Sequence, residues 1–323
     1  VMKRRFAQNL VVAFISALAT LSFGVYAADF PSRPVKIIAA TTPGGILDVA
    51  ARILAPALEQ QFKQSVIVEN RGGAGAQLAA SAVVNAPHDG YTLLVSTSVA
   101  LVPVFMKTPL VTLKDLAPIS LVAESPLLMV VAKDLPVNSM AELFAHVKAN
   151  PGKINYPTVG AGAALSLYYE FWKAKEGLQM QEIAYNGPGN ILSAMLRGDV
   201  SMALFSVGFA RSGIGSGKIK AIASSGPSRL KQFPNVQTFA EAGYPWLRGT
   251  MIAMHVAAGT PSDLVGKIHT AVVAAGKDPE VLKRMEGLSF VMDLSTPEEL
   301  RRREESDANW ALDVARIANI PPQ

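Results

Sequence analysis

The strongest constraint on the fold is a repeated series of a short apolar run, a glycine-rich turn and a segment with helical periodicity. The first unit has an apolar run at 35–40 (VKIIAA), a turn at 41–45 (TTPGG) and apolar residues at helical spacing over 47–62. Further strand-like runs stand at 66–68 and 91–95, with a helical segment at 76–86. Buried strands that alternate with helices indicate an α/β fold with a mainly parallel sheet.

A second series of the same kind begins after Ser120. Its predicted strands are 127–132, 153–158, 183–185, 200–204 and 220–224, and its predicted helices are 139–149, 164–175 and 191–197. A C-terminal part follows, with a strand at 252–257 and helices that open at 260, 278 and 296. The residues Thr296 and Glu299 have the spacing of a capping box, which predicts the start of the last helix.

The N-terminal residues have the three-part pattern of an export signal. A basic segment at 2–5 (MKRR) precedes a stretch without charge at 10–26, and small residues, Val25 and Ala27, stand at the positions that a signal peptidase reads. We predict that residues 1–27 are a cleaved signal peptide and that the mature protein is periplasmic. The alternative is a membrane anchor, since the apolar stretch is just long enough to span a bilayer.

Charge and cysteine content exclude several classes of protein. Removal of Lys3, Arg4 and Arg5 with the signal peptide would lower the net charge from +5 to +2, and no basic stripe with interleaved aromatic residues remains. Nucleic acid is therefore not an expected partner. The absence of cysteine excludes disulfide scaffolds, thiolate catalysis and zinc fingers.

Catalytic and cofactor signatures are weak. The four histidines stand apart, and no pair has the spacing of metal ligands. The segment 213–218 (GIGSGK) is followed by Ile219 where a phosphate loop needs Ser or Thr, and 160–162 (GAG) lacks the third glycine of a dinucleotide fingerprint. Both segments are interpreted as flexible turns, and we predict no catalytic residue, no metal and no cofactor.

Two matched loops remain as candidates for binding. Each follows a predicted strand, is rich in glycine and leads into a helix: 41–48 (TTPGGILD) and 158–164 (TVGAGAA). The N-terminus of a helix exposes unpaired N–H groups and a partial positive charge, which attract carboxylates and phosphates. One such loop in each half suggests a ligand held between two domains, but ordinary α/β turns explain the pattern equally well.

The sequence resembles the Bug family of periplasmic solute-binding proteins, which serve tripartite tricarboxylate transporters. The resemblance covers nearly all of the chain after residue 27 and consists of short motifs in a shared order. They are FPSRPV at 30–35, PGG at 43–45 with Asp48 and Arg52, VENRGGAG at 68–75, DGYTL at 89–93, ANPGKINY at 149–156, GAG at 160–162, YNG at 185–187, PNV at 234–236, FAEAG at 239–243 and AGTP at 258–261.

The resemblance implies a type II periplasmic-binding-protein fold, in which two α/β lobes close on a ligand in the cleft between them. The first lobe would comprise 28–121 and 254–323, and the second would comprise 122–253, with hinges around 121–127 and 249–255. In the family, the loops that match 42–48 and 158–166 hold one carboxylate of a small organic acid. The resemblance also implies delivery of that ligand to membrane permease subunits.

The ligand-binding residues that we predict on this basis lie in both loops and at the ends of nearby strands. They are Thr42, Pro43, Gly44, Gly45, Ile46, Leu47, Asp48, Ser96, Thr97, Gly160, Ala161, Gly162, Ala163, Ala164, Ser166, Tyr185 and Phe205.

Several of these positions depart from the family pattern towards apolar residues. Ile46 and Leu47 stand where Ser and Thr are usual, and Ala163 and Ala164 stand where small hydroxyl residues are usual. Where acidic or amide residues are frequent, the chain has Ser201 and Phe205, and aromatic walls could come from Phe205, Phe209, Tyr168 and Tyr185. We predict a carboxylate with an apolar or aromatic body, and the alternative is that these side chains face the core.

Two other functions stay open at this stage. A ligand-loaded sensor partner of a membrane histidine kinase would have the same sequence features. An enzyme on the same fold would need an acid/base pair or a nucleophile in the cleft, and the acids near the loops are Asp48, Asp199 and Glu170. Asp48 falls in a first helical turn, where stabilisation by the helix dipole explains it without catalysis, and we therefore predict a protein that is not an enzyme.

Overall fold

A computed structural model describes residues 30–97, 99–101, 106–158, 164–185, 187–226 and 228–320. The predicted signal peptide, 1–27, lies outside the described residues. Over the described residues, no helix combines the length and the apolar character needed to cross a membrane.

The first lobe is built on a six-stranded sheet. Its strands are β1 (Val35–Ala39), β2 (Val66–Asn70), β3 (Thr92–Ser96), β4 (Leu116–Ser125), β11 (Thr250–Ala257) and β12 (Val291–Met292), in the order β12-β4-β11-β3-β1-β2. β1 pairs in parallel with both β2 and β3, whereas β11 runs antiparallel to β3 and β4. The helices of this lobe are α1 (Ile46–Phe62), α2 (Gln77–Val84), α7 (Ser262–Gly276) and α8 (Pro279–Gly287).

The second lobe contains a four-stranded and a two-stranded sheet. Its strands are β5 (Leu127–Ala132), β6 (Asn155–Thr158), β7 (Gln181–Ala184), β8 (Met202–Ser206), β9 (Ile219–Ser224) and β10 (Gln237–Thr238), in the orders β10-β9-β5-β8 and β6-β7. Its helices are α3 (Met140–Ala149), α4 (Ala164–Glu176), α5 (Pro188–Arg197) and α6 (Val207–Gly215).

The α/β class predicted from the sequence is confirmed, but the prediction of a mainly parallel sheet is wrong. β5 pairs antiparallel with both β8 and β9, and β11 runs antiparallel to β3 and β4 because it brings the chain back into the first sheet, which β4 leaves. The flexible turn predicted at 213–218 is also wrong in part. Gly213 and Gly215 lie inside α6, where Gly213 lets the helix pack closely on Ile219.

The chain passes between the two sheets at two adjacent points. β4 ends at Ser125 and β5 begins at Leu127, so Pro126 alone separates them. The second passage reaches β11 through Gly249, where an added Cβ would lie only 2.7 Å from the carbonyl oxygen of Ser125. Glycine is therefore required for the two passages to lie side by side. The predicted lobe boundaries at 121–122 and 253–254 stay a prediction.

The long helix α9 (Pro297–Ile317) spans both lobes. It opens with the predicted capping box, in which Thr296 and Glu299 exchange hydrogen bonds. Leu300, near its start, packs with Met251 of the first sheet, whereas Val314, near its end, belongs to the hydrophobic core of the second lobe. The helix thus ties the lobes together beside the two strand passages.

Candidate functional site

The carboxyl ends of three parallel strands meet at one edge of the first lobe. In the register of the sheet, Ala39 of β1 lies beside Asn70 of β2 and Val95 of β3. The segments that follow these strands therefore gather at the same edge, where open α/β sheets bind their ligands. The predicted loop 41–48 is one of these segments.

Two glycines give this loop its shape. Gly44 has φ of +79°, a left-handed conformation that side chains other than glycine adopt at a cost. Gly72, which follows β2, packs directly against the loop, and a Cβ there would lie 3.2 Å from the backbone nitrogen of Thr42. The N–H of Gly45 donates to the carbonyl of Thr42 at 3.1 Å and closes the turn into α1.

A buried carboxylate holds the loop in place. Asp48 is 4% exposed and accepts hydrogen bonds from the N–H of Gly44 (2.8 Å), from Nε of Arg52 (2.8 Å) and from Nδ2 of Asn70 (2.9 Å). Burial by itself would raise the pKa of Asp48. The hydrogen bonds from Gly44 and Asn70 and the charge of Arg52 outweigh burial, so the pKa lies below its usual value. Asp48 is thus an ionised structural group.

Three backbone N–H groups at the start of α1 have no hydrogen-bond acceptor among the described residues. The first internal bond of the helix runs from the N–H of Val49 to the carbonyl of Gly45 at 3.0 Å. Among the described residues, no hydrogen bond is made by the N–H groups of Ile46, Leu47 and Asp48. Such donors, aligned with the helix dipole, form an anion-binding site.

The other predicted residues of this lobe differ in exposure. Thr42, Pro43 and Gly44 are exposed, and Ile46 and Thr97 are half-buried. Ser96, at the end of β3, is fully buried, and its hydroxyl has no hydrogen-bond partner among the described residues. An unpaired buried hydroxyl beside the loop is available to a ligand or to water.

The second lobe presents a similar edge where β6 and β7 end. These strands are parallel, and the N–H of Tyr185 donates to the carbonyl of Thr158 at 2.9 Å. Tyr185 and Ser166 are half-buried, and Ser166 lies in the first turn of α4. Gly160, Ala161, Gly162, Ala163 and the side chain of Ala164 lie outside the described residues.

Two side chains considered for the ligand site pack in the interior, and a third is half-buried. Leu47 is 3% exposed, and Phe205 is 2% exposed with its ring against that of Phe209. Tyr168 of α4 is half-buried, and its ring stacks on that of Trp246 and lies tilted against that of Trp310 of α9. The alternative stated above, that apolar side chains at these positions face the core, describes Leu47 and Phe205, which are almost fully buried. Phe209 and Ile46 keep part of their surface exposed.

The sequence reasoning missed three polar residues at these edges. Arg52 and Asn70 fix the carboxylate of Asp48, and Glu182 accepts a hydrogen bond of 2.5 Å from the hydroxyl of Thr158. The spacing of Asp48 and Arg52, one helical turn apart, was a signal for their ion pair. Asn70 and Glu182 contact residues that are far away in sequence. These contacts depend on the register of neighbouring strands, which the spacing of residues along the chain does not reveal.

Catalytic and metal-binding chemistry has little support in the described part of the chain. No group of three His, Asp or Glu residues is placed to hold a metal ion there. His255 is buried and lies 3.2 Å from Glu304 of α9, as an isolated pair inside the first lobe. Asp48 is committed to Gly44, Arg52 and Asn70. This arrangement favours binding over turnover.

Two α/β lobes joined by adjacent strand passages, with a donor-bearing loop at the strand ends of the first lobe, define the class of two-lobed solute-binding receptors. The model of the "Tripartite tricarboxylate transporter family receptor" matches residues 50–298. The chain belongs to this family, TctC, of periplasmic binding proteins, which are receptors and not enzymes.

Named relatives agree with this assignment. The chain is 30% identical to protein BugT of Bordetella pertussis over 90% of this chain and 91% of BugT. It is similar in structure to "R. palustris Rpa4515 with adipate", with a TM-score of 0.79, 26% identity and coverage of 91% of this chain and 100% of that one. It is also similar to "MatC (Rpa3494) from Rhodopseudomonas palustris with bound malate", with a TM-score of 0.74, 26% identity and coverage of 88% and 99%.

Proposed function

We propose that this receptor captures a small organic carboxylate in the cleft between its lobes and delivers it to a tripartite tricarboxylate-type permease. The observation that supports the proposal most is that the N–H groups of Ile46, Leu47 and Asp48 make no hydrogen bond within the described part of the chain. The loop that carries them is already ordered by Asp48, so little conformational entropy would be lost on binding. The relatives that hold adipate and malate support a carboxylate as the ligand.

The side chains around these donors favour a ligand with an apolar or aromatic body. Ile46 is half-buried at the start of α1, and Tyr185 is half-buried at the edge of the second lobe. Neither offers a charged group to a second or third carboxylate. Burial of apolar ligand surface contributes about 25 cal/mol per Å² of area, which compensates for hydroxyl donors that the loops lack.

Export and delivery belong to the same proposal. The pattern of residues 1–27 would direct the protein to the periplasm, where a receptor of this family meets its membrane partners. Closure of the lobes would bring Ile46 on one side and Tyr185 on the other onto one ligand. Small-angle scattering that shows no compaction with saturating ligand would contradict this closure.

Calorimetry with a matched set of acids tests the ligand class. We expect benzoate-type and pyridine-type acids to bind more tightly than citrate, with adipate between them. Tighter binding of citrate than of every aromatic acid would overturn the proposed apolar body, and the absence of binding by any carboxylate would overturn the carboxylate itself.

A substitution of Ile46 tests the backbone donors directly. Proline is tolerated at the first position of a helix, and Gly45 already has φ of −70° and ψ of 163°, which suit a residue before proline. Ile46→Pro therefore removes one N–H from the site with little change in the helix. Loss of a hydrogen bond to a charged group costs about 1.5–3 kcal/mol, so we expect affinity to fall at least tenfold. The control Ile46→Val keeps the N–H and should bind within threefold of the natural protein.

A further inference from the structure

The helix α9 contacts both lobes, and its contacts with the first lobe are polar and directional. The side chain of Arg303 is 15% exposed and donates to Glu124, near the end of β4, at 2.7 Å and to Asp307, one helical turn further, at 3.1 Å. Glu304 is buried and lies 3.2 Å from Nε2 of His255 in β11, which is also buried. Two successive residues of α9 therefore contact the two strands that carry the chain between the lobes.

The segment that precedes α9 is fixed to the same strand β4. The hydroxyl of Ser120 donates to the carbonyl of Ser295 at 2.8 Å, and the hydroxyl of Ser295 accepts a hydrogen bond from the N–H of Leu121 at 3.0 Å. Hydrogen bonds weaken steeply when their angles fall below about 120°, and a buried charge that loses its partner is strongly destabilising. The first half of α9 is therefore held on the first sheet by contacts that do not tolerate displacement.

The contacts of α9 with the second lobe are of a different kind. The ring of Trp310 stacks on that of Trp246, with centroids 5.0 Å apart and 24° between the planes, and lies tilted against that of Tyr168 of α4 at 5.2 Å. Among the described residues, no hydrogen bond or ion pair joins α9 to the second lobe. Arg248, whose charge acts on Asp307, is exposed and lies in the second strand passage.

The stack of Trp310 on Trp246 is able to change its geometry and stay favourable. Aromatic pairs attract each other over centroid distances of about 4.5–7 Å, in offset-stacked and in edge-to-face arrangements. The indole N–H of Trp310 is buried and has no hydrogen-bond partner within the described part of the chain, so no polar contact fixes the ring. Domains that close by shear slide by small amounts over packed surfaces. The face of α9 towards the second lobe is thus the face that allows movement.

We propose that the stack of Trp310 on Trp246 is the sliding contact of lobe closure. The helix α9 stays fixed on the first lobe through Arg303 and Glu304, and the second lobe moves across the ring of Trp310. Arg303 is a positioning residue, because it acts through the helix that it holds in place. This inference rests on the closure of the lobes that belongs to the proposed function.

Double electron–electron resonance with paired spin labels tests which side of α9 moves. The chain contains no cysteine, so labels attach only where cysteines are introduced. Lys267→Cys, Ser306→Cys and Ala145→Cys place them at exposed positions on α7, α9 and α3. Without ligand, we expect the distance distribution between positions 145 and 306 to be about twice as broad as that between 267 and 306. Equal widths, or a broader distribution between 267 and 306, would overturn the proposal.

Substitutions of Arg303 test the fixed side of the helix. Arg303→Gln removes the charge that Glu124 contacts, so we expect the distribution between 267 and 306 to broaden about twofold. Arg303→Lys keeps the charge and should keep the narrow distribution. The control Arg316→Gln removes an exposed arginine paired with Asp313 in the same helix and should change nothing. Unchanged widths in Arg303→Gln, or equal broadening in Arg303→Lys, would overturn the role of Arg303.

Addition of adipate separates this inference from the proposed function. We expect saturating adipate to shift the distribution between 145 and 306 and to leave that between 267 and 306 in place. A shift between 267 and 306 would overturn the sliding contact and leave the proposed function intact. If neither adipate nor benzoate shifts any distribution, the proposed closure is contradicted, whereas the widths without ligand still decide whether α9 stays fixed on the first lobe.

Discussion

The two strand-end edges each carry a carboxylate, and the two carboxylates are held very differently. Asp48 of the first lobe is buried and accepts three hydrogen bonds, from Gly44, Arg52 and Asn70. Glu182 of the second lobe is exposed and is bonded to Thr158. The first carboxylate is therefore fixed by three donors, whereas the second has one hydrogen bond among the described residues. We infer that the first lobe fixes the carboxylate of the ligand and that the second adapts to its body.

The largest expected effect concerns the core of the second lobe. Phe205→Ala should lower the free energy of unfolding by about 3–5 kcal/mol, because a fully buried ring leaves a cavity. Urea denaturation measures this loss, and calorimetry should show ligand affinity within twofold of the natural value. Phe209→Ala, at a half-buried ring, is the control and should lose less stability. A stable Phe205→Ala protein with weakened binding would make Phe205 part of the ligand wall.

The next effect tests the preorganised edge. Asp48→Asn replaces a charge that Arg52 and Gly44 both contact, so we expect about 1.5–3 kcal/mol of stability and at least tenfold in carboxylate affinity to be lost at pH 7. Asp199→Asn removes an exposed carboxylate paired with Arg197 and is the control, with a loss below about 1 kcal/mol. Equal losses of stability and affinity in Asp48→Asn and Asp199→Asn would contradict the difference that we expect between a buried and an exposed carboxylate.

The difference in stability between the natural protein and Asp48→Asn depends on pH, and this dependence follows from the lowered pKa of Asp48. A carboxyl group with a lower pKa in the folded than in the unfolded state stabilises the fold fully above its unfolded value, about 3.9. That contribution is lost as the pH falls through the folded value. The stability gap between the natural protein and Asp48→Asn should therefore be constant from pH 8 to pH 5 and close below about pH 4. A gap that grows in acid would contradict the ionised structural role.

The sequence predicted local features well and long-range ones poorly. The start of a helix at Thr296 and the apolar runs that form strands depend on residues that are close in sequence. Both features are present in the structure. The pairing of Asp48 with Asn70 depends on the parallel register of β1 and β2, which joins residues 22 positions apart. Burial of Phe205 depends on its place opposite Leu128 in the second sheet. An apolar residue at a position where the family usually has a polar one could not show by itself whether the side chain faces the ligand or the core.

The smallest expected effect completes the comparison at the second edge. Glu182→Gln keeps an acceptor for the hydroxyl of Thr158 and removes only an exposed charge, so we expect stability to change by less than about 0.5 kcal/mol. Loss of a negative charge near the carboxylate ligand should leave affinity unchanged or raise it up to threefold, as measured by calorimetry. The control Glu305→Gln removes an exposed charge on α9 that makes no ion pair among the described residues, and it should change stability and affinity no more than Glu182→Gln does. A large loss of affinity in Glu182→Gln would mean that this carboxylate, like Asp48, is part of a fixed anchor, and the two edges would then share one role.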